Sequence, residues 1–283
     1  MNIQIVIPVY NEADHLTQAL QSFVEQTLLP QKIIIINDGS TDESQKIIDT
    51  FSSNYSFFES IQIPSEQKHL PGSKVINAFY EGFALVNSSY DLIGKFDADI
   101  ILPKNYFEVV SQFFKKNKKT GIAGGNLYIK KNNNWEFEAI SEKTKVRGPI
   151  KLYRKACFED IGGLKKSIGW DTVDGLLAQY HGWTIETDTT LHVKHLKPTG
   201  KTYTKEAKYK QGEAFYRMQY GFLLTTIAAT KLALRKRKIV LFFDYIRGFF
   251  RAKRNKQEFL VTKAEGTFIR KLRWKGIWSK ITM

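Results

Sequence analysis

The sequence predicts an α/β fold, a mostly parallel mixed sheet covered by helices, followed by a basic helical extension. Three observations predict it. Apolar strand runs alternate with amphipathic helical segments through the first hundred residues. Polar clusters follow three of those strand runs. Past residue 204 the pattern turns wholly helical, and residues 231–283 gather +13 of the chain's +15 net charge, with 16 Lys and Arg against 3 Asp and Glu.

Residues 3–9 form a continuous apolar run and predict the first strand. Residues 13–26 predict a helix, with Leu16, Ala19, Leu20 and Phe23 on one face. The β-branched run 32–36 predicts a second strand, and residues 41–51 a helix with Asp42 and Glu43 in its first turn. A third strand is expected at 57–63, a helix at 71–86 and a fourth strand at 91–96. Strands alternating with helices argue for a parallel sheet with both faces covered, whose ligands sit beyond the carboxyl ends of the strands. After Gly121 the pattern changes. Residues 122–130 and 135–139 predict a hairpin outside the repeating unit, turning at Lys131, Asn132, Asn133 and Asn134. A helix at 172–181 and a strand at 183–186 follow.

The 283 residues suit one large α/β domain with an appendage, expected here as 1–204 and 205–283. The single cysteine, Cys157, excludes an internal disulfide and a cysteine-built zinc site, and a cytoplasmic setting is expected. The N-terminus shows no secretory signal. The longest charge-free stretch of the C-terminal third, residues 218–230, is shorter than the roughly 20 residues that span a bilayer. No transmembrane helix is expected. In the basic segment, Ile239, Phe242, Phe243, Ile246 and Phe250 recur at spacings of three or four. Such a stripe beside basic residues suits an interfacial helix on anionic lipid at the inner membrane face, with a helix docked on the preceding α/β domain as the alternative. No nucleic acid is expected.

The three polar clusters are Pro8-Val9-Tyr10-Asn11-Glu12, Asn37-Asp38-Gly39-Ser40-Thr41-Asp42 and Asp97-Ala98-Asp99. Singly, Asn11 or Asp42 reads equally as a helix cap and Gly39 as a turn residue. Together at one sheet edge they predict a site. Asp97 and Asp99, two residues apart after a strand, would repel one another. A hard divalent cation, Mg²⁺ or Mn²⁺, relieves that repulsion and neutralises a diphosphate leaving group.

These motifs, with Gly162-Gly163, Gly169-Trp170-Asp171-Thr172-Val173-Asp174 and Gly182-Trp183, resemble family 2 glycosyltransferases of the GT-A fold over roughly residues 3–200. The resemblance implies a metal-dependent, inverting transfer of one sugar from a nucleoside-diphosphate sugar to an acceptor hydroxyl, in cell-surface polysaccharide or glycolipid synthesis. UDP is the first expectation for the nucleotide, with GDP or dTDP as alternatives. The acceptor would be a sugar or a lipid-linked glycan. Residues 1–100 would form the nucleotide-sugar half and 101–204 the acceptor half. Pro8, Val9, Tyr10 and Glu12 would line the nucleoside pocket, Asp38 would bond base or ribose, and Lys74 would approach the donor. Lys74 reads equally as an exposed helix lysine. Asp97 would contact ribose or metal, Asp99 would ligate the metal, and His195, in a late loop, would be a third ligand. Asp171 matches the catalytic base, with Asp174 as runner-up, because Trp170-Asp171 replaces the usual Glu-Asp pair. Arg270-Lys271-Leu272-Arg273-Trp274 resembles a signature of processive synthases, but here it ends a basic segment without membrane spans and reads as part of that segment. A sugar nucleotidyltransferase is the competing enzyme reading, although neither glycine nor a basic residue stands after the first strand. A non-catalytic basic membrane or nucleic-acid binding module is third.

Overall fold

The computed structural model describes residues 1–64, 73–140, 142–198 and 208–281. They fall into two compact units. The first gathers described residues within 1–69, 74–164 and 181–201, and the second those within 70–73, 165–180 and 202–283. The expected boundary at 204/205 lies outside the described residues, as do the first two residues of the helix expected at 71–86.

The first unit is built on β1 (Ile3–Val9), β2 (Lys32–Asp38), β3 (Phe58–Ile63) and β4 (Leu92–Phe96), with α1 (Ala13–Val24), α2 (Ser44–Asn54) and α3 (Lys74–Phe83) between them. It continues with β5 (Ile100–Ile101), α4 (Tyr106–Lys116), β6 (Thr120–Lys131), β7 (Asn134–Phe137), β8 (Ile150–Arg154), α5 (Lys155–Asp160) and β9 (Thr184–His195). The described strands form one sheet in the order β3-β2-β1-β4-β8-β6-β9-β5, with β7 on β6. The first four pair in parallel. β8 runs antiparallel to both β4 and β6, and β9 parallel to β6. The α/β architecture is the expected one. Continuous apolar runs such as Ile33, Ile34, Ile35 and Ile36 are fully buried because helices cover both faces of the sheet. On α1 the expected stripe Leu16, Ala19, Leu20 and Phe23 is the buried face.

The structure departs from the sequence expectation at three places. Helix α2 starts at Ser44 rather than at 41, because Asp42 stays outside and accepts the Ser44 N–H at 3.0 Å. The hairpin stands outside the repeating unit as expected but is joined to the main sheet: β6 lies between β8 and β9, and only β7 is an added strand. Its two-residue loop, Asn132 and Asn133 at φ 45° and 67°, is the left-handed turn that matches strand twist. The late strand runs to His195 instead of ending at 186. Finally, α4, β8 and α5 occupy segments with no expected element.

The second unit contains α6 (Trp170–Tyr180), α7 (Lys210–Arg217), α8 (Gly221–Arg235), α9 (Val240–Arg254) and α10 (Lys263–Ile281). Past residue 207 its described secondary-structure elements are all helices, as expected, joined by turns and by an irregular stretch at 255–262. Helices α7 and α9 cross backbone to backbone: a Cβ on Gly212 would overlap the Tyr245 carbonyl, and one on Gly248 the Tyr209 carbonyl. That crossing sets which face of α9 is buried, namely Asp244, Tyr245, Gly248, Phe249 and Ala252. Of the expected stripe, Phe242 and Ile246 are half-buried. Ile239, Phe243 and Phe250 remain exposed at 65%, 55% and 48%. Arg270 and Arg273 fasten the α7–α8 turn: Arg270 donates to the Gln219 carbonyl at 2.8 Å and Arg273 to the Tyr220 hydroxyl at 3.0 Å. Among the described residues, no helix is long and apolar enough to cross a membrane.

Candidate functional site

The parallel half of the sheet delivers its strand ends to one edge. After β1 the chain turns at Asn11, in the left-handed region at φ 53°. Asn11 donates its N–H to Ser40 Oγ at 3.0 Å, and its side-chain carbonyl accepts the Thr41 N–H at 2.8 Å. Glu12 donates its N–H to Ser44 Oγ at 2.9 Å, while Asp42 accepts the Ala13 N–H at 3.0 Å. The loops after β1 and β2 are thus laced together. Asn11 and Asp42 are committed to these backbone bonds, and Tyr10, Glu12 and Asp38 stand at the same strand ends.

Asp38 is nearly buried, and Lys74 Nζ, on α3, lies 3.4 Å from its carboxylate. The same ammonium sits 3.7 Å from the centroid of the Tyr10 ring. At the end of β1, Val9 is buried in the core and Pro8 is half-buried. Four of the expected donor-binding positions, Val9, Tyr10, Asp38 and Lys74, therefore meet at the ends of β1 and β2. Lys74 is not the exposed helix lysine of the alternative reading.

Beside them, Asp97, Asp99 and His195 bring one ligand atom each to within 4.8 Å of one another. The sheet register explains it. His195 ends β9 directly opposite Ile100 of β5, and the Leu196 N–H donates to the Asp99 carbonyl at 2.9 Å. His195 is a strand residue and not a loop residue. Its Nε2 is 3.6 Å from Asp99 Oδ2, and its Nδ1 is 3.0 Å from Glu138 Oε2. Glu138 is in turn paired with buried Arg147. A carboxylate behind Nδ1 fixes the ring and turns Nε2 toward the acidic pair. Burial alone would lower the His195 pKa. The hydrogen bonds and charges of Asp99 and Glu138 outweigh it and hold the imidazole up at about 9.

Charge also concentrates at Glu12. Burial, followed by the Asp99 and Asp97 charges, raises its carboxyl above the ordinary range, against the opposing bond from Lys197 Nζ at 2.6 Å. Lys95, fully buried within β4, holds Asp97. Two carboxylates and an imidazole nitrogen suit Mg²⁺ or Mn²⁺, and the clustered negative charge suits a cation, so the residues present fit a divalent metal.

Four members of this cluster escape sequence reading. Glu138 and Arg147 form a buried pair nine residues apart across the β7–β8 connection. Lys197 reads as a loop lysine. Lys95 leaves one signal, a lone charge inside a strand that is otherwise apolar.

Asp171 and Asp174 lie on α6, in the second unit. Gly169, at φ 77°, turns the chain into that helix, and its carbonyl accepts the Thr172 and Val173 N–H groups. Asp171 is half-buried in the first turn, at the positive helix end. Asp174 is buried, at 1% exposure, and accepts the Gly175 N–H.

Comparison with known proteins gives the frame for this site. The model of the family described as "Glycosyl transferase family 2" matches residues 4–164. The chain is 26% identical over 189 residues to poly-beta-1,6-N-acetyl-D-glucosamine synthase of Staphylococcus epidermidis, which covers 60% of this chain and 42% of that protein. It is 27% identical over 202 residues to glycosyltransferase GlyA of Streptococcus pneumoniae, covering 62% and 27%. The chain thus spans less than half the length of these curated relatives. Among solved structures, Staphylococcus aureus TarS 1-349 in complex with UDP-GlcNAc superposes with a TM-score of 0.57 at 15% identity, covering 82% of this chain and 67% of that one. The shared fold is GT-A.

Proposed function

The chain belongs to glycosyl transferase family 2, and on that premise we propose that it transfers a single sugar from a UDP-linked donor to an acceptor hydroxyl in cell-surface polysaccharide or glycolipid synthesis. The observation that carries this reading is the meeting of Asp97, Asp99 and His195 beside Asp38, Lys74 and Tyr10 at the strand ends. Tyr10, Asp38 and Lys74 would seat the nucleoside and steady the donor, with the exposed Tyr10 ring available for stacking on the base. Asp99, His195 and Asp97 would hold a divalent cation, which would supply charge neutralisation for a diphosphate leaving group. Asp171 would take the proton of the acceptor hydroxyl as that oxygen forms its bond to the anomeric carbon. The bond from that carbon to the diphosphate oxygen breaks on the opposite face. A direct displacement of this kind inverts the anomeric configuration and needs one base.

The experiment is a screen of nucleotide-sugars for hydrolysis and thermal stabilisation with Mg²⁺ or Mn²⁺. UDP-sugars are expected to stabilise the chain only with metal present. Asp99→Ala should abolish that stabilisation, and EDTA should reproduce the loss on the unsubstituted protein. Equal affinity for UDP with and without metal by calorimetry would reject the metal role. Turnover of a nucleoside triphosphate plus sugar phosphate would favour the nucleotidyltransferase instead.

The same reading places the enzyme on an anionic membrane surface. Ile239, Val240 and Phe243 of the second unit are exposed beside Lys236, Arg237 and Lys238. Each basic residue near such a surface contributes roughly 1 kcal/mol. Deleting residues 231–283 would also strip α7 of its partner α9, so substitution on the intact chain is the cleaner test. Val240→Ser with Phe243→Ser should release the protein from phosphatidylglycerol-containing vesicles in a sedimentation assay. Unchanged sedimentation would sink the membrane reading.

A further inference from the structure

A cavity of about 290 Å³ opens in the second unit among α7, α8, α9 and α10. Five aromatic rings line it as one wall. Phe259 lies 5.2 Å from Tyr216, Tyr216 5.7 Å from Phe249, Phe249 5.6 Å from Phe250, and Phe250 5.5 Å from Phe222. Three of these rings, Phe222, Phe250 and Phe259, remain about half exposed. Apolar surface gathered in this way marks a binding surface.

The lining is apolar except at two cations, one amide and the Tyr216 hydroxyl. Lys253 and Arg270 both line the cavity, and among the described residues neither is ion-paired with a carboxylate. Arg270 donates only to neutral acceptors, the Gln219 carbonyl and Thr267 Oγ1. Two positive charges beside aromatic walls are complementary to a molecule with an apolar chain and an anionic head. A sugar or nucleotide would need several convergent polar groups. The amide here is already used, since Gln219 Nε2 donates to the Val261 carbonyl at 2.8 Å. The cavity opens to solvent through Phe222 of α8 and Phe250 of α9, both exposed.

We propose that this cavity binds one anionic membrane lipid, with part of an acyl chain against the aromatic wall and the phosphate on Lys253 and Arg270. The inference rests on the membrane reading and deepens it: the surface would select a phospholipid by its head and not merely adhere to negative charge.

The test uses the full chain and dihexanoyl phosphatidic acid, held below its micelle concentration, in calorimetry. Saturable one-to-one binding is expected, with no comparable binding of dihexanoyl phosphatidylcholine or inorganic phosphate. Lys253→Gln should weaken it about fivefold, and Phe259→Ser about tenfold through lost apolar contact. Both positions are exposed, so the fold should persist. The surface variant Val240→Ser with Phe243→Ser should keep this monomer binding while losing vesicles. Equal affinity for the phosphatidic acid and phosphatidylcholine forms, or no change in Lys253→Gln, overturns the site. So does displacement of the lipid by an acidic amphipathic peptide that binds more tightly. Vesicle binding without monomer binding also overturns the site while leaving the membrane reading standing. Monomer binding without vesicle binding supports the site and removes the membrane reading.

Discussion

Asp171→Asn is expected to lower turnover by about 10²–10⁴-fold while leaving UDP affinity near its original value. That range is what a positioned general base contributes, and the substitution removes the basic carboxylate with almost no change in shape. The two candidate carboxylates differ in circumstance. Asp171 is half-buried in the first turn of α6, whereas Asp174 is buried and accepts a backbone N–H. Asp174→Asn should therefore lower thermal stability, with little effect on the turnover of the folded fraction. The measurement is steady-state kinetics of both variants together with calorimetric UDP affinity. Loss of turnover in Asp174→Asn with retention in Asp171→Asn reverses the assignment. A product that keeps the donor's anomeric configuration rejects the displacement.

The second large effect is expected at Glu138. Its carboxylate stands between the His195 ring and Arg147, all three buried. Glu138→Ala strands the guanidinium without its partner, and breaking a buried pair from one side costs about 3–5 kcal/mol. The same change frees the imidazole to rotate. Loss of such a partner behind a ligating histidine typically costs about 10–100-fold in metal affinity. Urea unfolding and Mn²⁺ titration read the two effects separately. Glu136→Gln is the control, two residues away on β7. Its pair with Lys131, at 3.3 Å, is half-exposed and worth at most about 1 kcal/mol. Equal effects at Glu136 and Glu138 would remove Glu138 from the site.

The contrast between these residues shows what a sequence exposes. Local periodicity gives β1, β2, α1 and the α/β alternation, because each apolar face is written within a dozen residues. The Asp97-x-Asp99 spacing and the polar loop after β1 are legible for the same reason. Lys95, Glu138 and Arg147 are not, because a buried charge is recognised only by its partner, and partnership depends on the fold. His195 reads as a loop residue because β9 is polar through Thr187–Thr190, and only its pairing with β5 and β6 reveals it as a strand end. Strand β8 hides for a related reason. Lys151 interrupts its apolar run yet is buried opposite Lys95 of β4. On α9 the apolar periodicity is real, but backbone contact through Gly212 and Gly248 decides which face is covered.

The path of the chain through the two units has a genetic consequence. Residues 165–180 visit the second unit, the chain returns to the first for β9, and only then does it enter α7 to α10. A discontinuous unit of this kind cannot be excised by one stop codon or exchanged between relatives at one junction. A gene fragment ending at 204 would encode α6 without α10, against which its Tyr180 ring stacks edge-on to Phe268 at 5.5 Å. The helix that bears Asp171 would then lose its support. Far from being a dispensable tail, the basic C-terminal segment is inherited with the helix that bears Asp171: any recombination that trades one must carry the other.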